Sequence, residues 1–202
     1  MGKQNVGMMY PVFALMVSHT DGSMPQYDTG RVIMEARSAT VNYTRGNNPD
    51  YGDDRIVDDD NGITDLSISF EPTGLTDAHR VYMLGEELRP GGTGGEGSNG
   101  QWVTDGDAPW GGFGYIRCMR LNGIRMYEAW ITLKIKFREE TQTTQTREGS
   151  ITWGHPTIVG RAAGLDVDGG DSLKYQLHET FDTIAAAKTF INGILNVSTE
   201  PI

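Results

Sequence analysis

The amino-acid sequence predicts a mainly β (α+β) protein with one or two helices beside its strands, including a C-terminal helix. Three observations predict it. In LSISF, Leu66, Ile68 and Phe70 alternate with Ser67 and Ser69, the two-residue period of a half-buried strand. The stretch GYIRCMRLNGIRMYEAWITLKIKF, residues 114–137, places Asn122-Gly123 between two strand-like runs. Both residues tolerate the positive φ that a type I′ hairpin turn demands. Two short segments read as helices, one of them closing the chain.

In chain order, residues 8–17 (MMYPVFALMV) read as a buried strand. NNPDYGDDRIVDDDNG, residues 47–62, reads as an acidic connecting loop, part of a long loop over about 44–62. After the strand at 66–70, TDAHRVYML (76–84) reads as a helix capped by Thr76 and closed at Gly85. RPGGTGGEGSNG (89–100) has six glycines in twelve residues and reads as a flexible part of a second long loop, 86–111.

The Asn122-Gly123 turn fixes the register of the central hairpin. Leu121 faces Ile124, Met119 faces Met126, Arg117 faces Glu128 and Tyr115 faces Trp130. The charge and aromatic pairs are each worth roughly 0.2–1 kcal/mol. Arg120 faces Arg125, a like-charge conflict tolerable at an exposed position near the turn. The return strand sets Tyr127, Ala129, Ile131, Leu133, Ile135 and Phe137 on one face, and Thr132, Lys134 and Lys136 on the other. A threonine-rich polar span follows. ITWGHPTIVGRA then reads as a strand with Pro156 at a bulge or edge. FDTIAAAKTFINGIL (181–195) reads as a helix with Asp182 as its cap and Ile184, Ala187, Ile191 and Leu195 on one stripe.

Composition narrows the function. The 202 residues suit one domain, 1–202, with a proper core. Net charge is −10, which repels phosphate backbones and argues against tight nucleic-acid binding. Cys118 is the one cysteine, so no intrachain disulfide forms and a reducing site of synthesis is expected. No apolar run approaches the roughly 20 residues of a membrane span. The start resembles a signal peptide, but Pro11 falls early in its apolar run and no small-residue cleavage site follows. Val6 stands where a myristoylation signal needs Ser or Thr.

Several motifs invite chemistry and lack its context. Tyr51-Gly52-Asp53-Asp54 matches the metal-holding turn of template-copying polymerases, yet its flanks are acidic and no basic template groove accompanies it. Asp58-Asp59-Asp60-Asn61-Gly62 fails the EF-hand spacing, because a loop with Gly62 sixth starts on Val57 and ends on Ile68. LDVDGGDS, with Asp166, Asp168 and Asp171, is off-register too. His19, His79, His155 and His178 show no zinc spacing. Cys118 lies mid-strand beside Ile116 and reads as a buried, inert thiol. Trp102, Trp110, Trp130 and Trp153 read as core or interface residues. Neither catalytic nor metal residues are expected, nor any cofactor.

Four stretches together resemble the major tail proteins of long-tailed bacteriophages, the subunits of the tail tube. YGDDRIVDD resembles that family's acidic loop after the early strands, and residues 114–137 its central hairpin. SITWGHPTIVGRA is similar to its strand with a Pro and a following Gly, and FDTIAAAKTFINGIL to its closing helix. Their order and spacing carry the resemblance over about residues 31–197. It implies an antiparallel β-sandwich or barrel-like tail-tube fold flanked by helices, whose subunits form hexameric rings stacked into a tube that passes DNA without specific binding. Six copies at −10 each make −60 per ring. The resemblance makes Asp50, Tyr51, Asp53, Asp54, Asp58, Asp59 and Asp60 candidates for an assembly or lumen loop. It also implies tape-measure, tail-terminator and distal tail proteins as partners, a place in the virion tail, and assembly in the host cytoplasm. Two alternatives stay open: the tube subunit of a contractile tail or bacteriocin-like injection machine, and a β-sandwich carbohydrate-binding virion module.

Overall fold

The structure, a computed structural model, describes residues 4–33, 35–46, 48–52, 55–60, 62–89, 101–103, 107–141, 155–170 and 172–197. The early strands are β1 (Gln4–Ser18), β2 (Gln26–Tyr27), β3 (Arg31–Val32), β4 (Ala36–Arg45), β5 (Asn48–Gly52), β6 (Arg55–Asp60) and β7 (Ile63–Pro72). A helical segment follows, α1 (Asp77–His79), continued by a π-helical turn over Arg80–Leu84. Then come β8 (Glu87–Arg89), β9 (Gln101–Val103), β10 (Gly111–Leu121), β11 (Ile124–Thr141), β12 (Thr157–Ala162), β13 (Gln176–Phe181) and the C-terminal helix α2 (Ile184–Leu195). The protein is therefore mainly β, with an antiparallel sheet and a closing helix.

The main sheet runs β2-β1-β10-β11-β12-β7-β4, with β3 added to β1 and β13 to β11. The central hairpin turns at Asn122 (φ 51°) and Gly123 (φ 84°), and every cross-strand pair expected from the sequence is present, Arg120 opposite Arg125 included. The strand expected at 8–17 is part of β1, which tolerates Pro11 because its register shifts between Met9 and Val12, with Tyr10 at φ 55°.

One departure from the sequence reading organises the core. Between Thr132 and Ile135, β11 spends one residue more than β10 does between Gly111 and Phe113. This bulge reverses which side chains face which way. Ala129, Ile131 and Leu133 join one core, whereas Ile135 and Phe137 join the other, so the apolar row expected on a single face is split. At the same point β11 exchanges β13 for β12 as its neighbour. Three of the bulge's backbone groups find partners outside the β10–β11 ladder. The Leu133 carbonyl accepts from the Tyr27 hydroxyl (2.6 Å), its N–H donates to the Tyr175 carbonyl (3.0 Å), and the Lys134 carbonyl accepts from the Ala163 N–H (2.9 Å). Burial pushes the Tyr27 hydroxyl's pKa up, so it stays a donor throughout the physiological range.

The first core lies inside the curl of the sheet. Phe13, Phe113 and Phe137 meet Leu66, Ile68 and Phe70 there, with Tyr82, Met83 and Leu84 beneath. Phe113 packs edge-on against Phe70 and Phe137, with ring centres 5.3 and 5.2 Å apart. The second core lies under α2, where Ala187, Ile191 and Leu195 are buried against Val12, Ile116 and Ile131. A side chain at Gly112 would sit 2.7 Å from Leu195 and Tyr27, so glycine there lets the helix approach the sheet. Asp182 is not the cap: Thr183 Oγ1 accepts from the Ala186 N–H (3.2 Å), and Asn196 at φ 49° ends the helix.

Thr76 caps α1 as expected, and Gly85 closes the helical segment in the left-handed region (φ 69°). Two assignments are corrected. Residues 48–52 and 55–60, read as a loop, form the paired strands β5 and β6, and 86–111 contains the β8–β9 pair. Tyr51 opposite Ile56, with the branched Val57 next in β6, gives that acidic stretch enough strand preference to pair. Pro156 lies just ahead of β12, within reach of the register shift at Glu139–Thr141, because β12 is bonded on both sides and leaves no place for a missing N–H. The glycine tract 90–100 and residues 142–150 lie outside the described residues.

Tyr27→Phe removes the donor from the bulge carbonyl and should cost about 1–3 kcal/mol, read as a lower urea midpoint at unchanged slope. His79 Nδ1 accepts from the Thr76 N–H (3.4 Å), which needs the neutral ring. Burial lowers the His79 pKa; the hydrogen bond to the Val32 carbonyl opposes this, and Arg31 adds to the lowering. The unfolded chain then binds the proton more readily, so this stability is complete above about pH 6.5 and is lost as pH falls through the lower folded value. The drop in melting temperature from about pH 7.5 to about pH 5.5 should be smaller in His79→Gln than in the wild type.

Candidate assembly surface

Open strand edges are the first feature of this surface. Among the described residues β4 forms a backbone ladder with β7 alone and β13 with β11 alone, while the Tyr43 hydroxyl of β4 donates to Gln176 Oε1 of β13 (2.6 Å). The ten residues of β4 offer an edge about 33 Å long at ~3.3 Å per residue. Its regular stretch, Ser38–Thr44, carries no charge and no proline, the devices that usually blunt an edge. Nothing in the sequence marked this edge, because an unpaired strand and a paired one share the same alternation.

The acidic stretch continues from the β4–β7 ladder through a Gly46–Gly62 hydrogen bond (2.8 Å) into the β5–β6 hairpin. Asp50 lies opposite Asp58, Tyr51 opposite Ile56, Pro49 opposite Asp59 and Asn48 opposite Asp60. Asp53 and Asp54 lie outside the described residues. The structure thus gathers four of the six aspartates on one two-stranded unit, far from the turn residues Asn122 and Gly123 in the chain.

Between β4 and β1 the curled sheet stays unsealed, and a cleft of about 290 Å³ opens there. Tyr43, Tyr115, Arg117 and Trp130 line it, with Met8 and Val41. Burial pushes the Tyr115 hydroxyl up to about 12, so it stays protonated. At its floor the Glu128 carboxylate is 2% exposed. Its Oε2 accepts from Arg117 Nε (3.0 Å), from Arg117 Nη2, and from Trp130 Nε1 (2.7 Å). Trp130 also stacks on His178, with ring centres 4.5 Å apart, and Arg117 lies 5.1 Å from its ring. An indole flanked in this way offers little free face for a further stacking ring.

A second cavity, about 480 Å³, is lined by Trp110, Lys136, Phe137 and Glu139. Its charges are matched internally: Lys136 with Asp107 (2.8 Å), and Arg80 with Glu86 (3.0 Å) and Glu139 (2.7 Å). The Asp166 carboxylate is committed to the backbone N–H groups of Asp168 and Gly169 (3.2 and 2.7 Å). Among the described residues no group of His, Cys, Asp and Glu is arranged to hold a metal ion. Cys118 is buried, and burial raises its pKa away from the reactive thiolate.

Glu128→Gln leaves Arg117 and Trp130 sharing a neutral acceptor in a buried site. A loss of about 1–3 kcal/mol is expected, with a changed near-ultraviolet signal from Trp130, both measurable in one urea titration.

No helix among the described residues is long and apolar enough to cross a membrane. No protein-family model matches the chain, and no curated protein matches its sequence at a significant level.

Proposed function

We propose that the chain is a structural virion protein: the major tail subunit of a long-tailed bacteriophage, assembling into stacked hexameric rings through which DNA passes. The observation that carries this reading is the pair of strands, β4 and β13, whose outer edges form no backbone ladder among the described residues, on one curled antiparallel sheet. A protein that works as a monomer blunts such edges; a ring subunit uses them, in a contact between two different surfaces that closes on itself. The C-terminal helix covering the opposite core supports the reading, because it leaves the sheet edges as the surface available to neighbours. So does the resemblance of the central hairpin, the proline-bearing strand and the closing helix to tail-tube subunits. A net charge of −10 per subunit suits a wall that DNA must pass without sticking. Tape-measure, terminator and distal tail proteins are the further partners this reading supplies.

Purified protein imaged by negative-stain electron microscopy across a concentration series, with light scattering on the same samples, tests it. Rings or hollow tubes of uniform width are expected. A protein that stays monomeric at every concentration, and binds sugars with quenching of tryptophan fluorescence, would transfer the assignment to the carbohydrate module.

A further inference from the structure

The two ends of β1 lie beside surfaces of opposite charge. At its start Gln4 pairs with Arg120, which faces Arg125 across the central hairpin. Both arginines are exposed, and among the described residues neither has an ion-pair partner; Asp182, which follows the last paired residue of β13, makes none with them. Like charges set directly opposite are destabilising within a sheet. Past the other end of β1, residues 19–22 and 166–170 form one acidic surface, tied together by His19 Nε2 and the Gly22 N–H, which both donate to the Asp166 carbonyl (2.9 and 3.2 Å). The Asp21 carboxylate is 88% exposed, and its one ion-pair contact among the described residues is His19 Nδ1 at 3.8 Å. With Nε2 donating, the neutral ring has no proton on Nδ1 to offer it. Asp168 is exposed beside Lys174 (3.4 Å). Asp21, Asp166 and Asp168 against Lys174 leave −2 at this end, against +2 from the two arginines at the other. Both ends also leave apolar side chains uncovered: Val6 and Ile124 (54% and 67% exposed) by the arginines, Val17 and Leu173 (66% and 55%) by the acids.

We infer that the arginine end of one copy docks on the acidic end of a second, so that copies follow one another head to tail along β1. Within one copy the two ends stay apart, because the 15 residues of β1 separate them by up to ~50 Å at ~3.3 Å per residue. Between copies, opposite charges steer the encounter and set its orientation, and the opposed arginines gain counter-charges. The exposed valines, Ile124 and Leu173 give the same contact apolar surface to cover. The two surfaces differ, so the contact is heterologous and extends from copy to copy. The inference rests on the self-assembly reading and adds to it the surfaces on which one copy follows the next.

Two charge-reversed variants test it: Arg120→Glu with Arg125→Glu, and Asp21→Lys with Asp168→Lys. Alone, each sets like charge against like. Self-association, followed by sedimentation velocity at low salt, should then need at least about tenfold more protein than the wild type. Mixed one to one, the reversed end of each variant meets an opposite charge on the other, and association returns. Circular dichroism and melting confirm each fold first. Arg120→Gln with Arg125→Gln, or Asp21→Lys by itself, replaces a reversal that does not fold and is judged on the weakening alone. Variants that associate like the wild type, or a mixture of the two reversals that stays apart, overturn the docking inference and leave the tube reading standing. A wild type that never associates overturns both. Duplex DNA bound by the wild type and released by the arginine variant, with self-association unchanged, assigns the arginines to nucleic acid and overturns the inference too.

Discussion

A single extra residue in β11 determines how this protein is built. An 18-residue strand is long enough to serve two cores, but a regular pleat would aim one apolar row at one of them. The bulge at Leu133-Lys134 changes the aim partway along, so Ala129 to Leu133 meet the helix and Ile135 to Phe137 meet the interior of the curl. The exchange of β13 for β12 occurs at the same place, because the bend turns one edge of β11 toward a new neighbour. Everything outside this point follows: α2 has a sheet to cover, and β7 and β4 have a strand to extend from.

The polar groups inside are arranged around that plan. The Glu128 carboxylate ties β10 to β11 through Arg117 and holds the Trp130 indole across the cleft floor. The Arg80 guanidinium holds Glu86 and Glu139 together and so joins the helical turn to the far half of β11. A register slip of one residue would expose an apolar row and strand a carboxylate without donors. These ties fix the sheet and leave its outer strands open, an arrangement suited to a building block whose interior is finished and whose margins are not.

Much of this was legible in the sequence. The Asn122-Gly123 turn determines five cross-strand pairs by counting alone, and all five are present. Thr76, Gly85 and the stripe of α2 were legible because caps and helical periodicity are local chemistry. The bulge was not, since its cause is tertiary: Tyr27 accepts the role of satisfying Leu133, 106 residues away in the chain. The glycines at 112 and 114 were a visible signal of close packing against α2, readable only once the helix has a place. The acidic stretch misled because aspartate disfavours strands, yet the hairpin forms around Tyr51 and Ile56. The open edge of β4 has no local signature at all, so this part of the candidate surface depended on topology.

The pairing of β1 with β10 has a consequence for synthesis. Leu15 pairs with Gly111 and Gln4 with Arg120, separations of 96 and 116 residues. Strand β1 therefore waits for about a hundred further residues before its partner exists, and α2, which covers it, is made later still. Closure of so long a loop is slow, and an uncovered strand invites misassociation in the meantime. A nascent chain cannot finish the core under α2 until Ala187, Ile191 and Leu195 have emerged, whereas the core inside the curl needs the chain only as far as β12 and Tyr175.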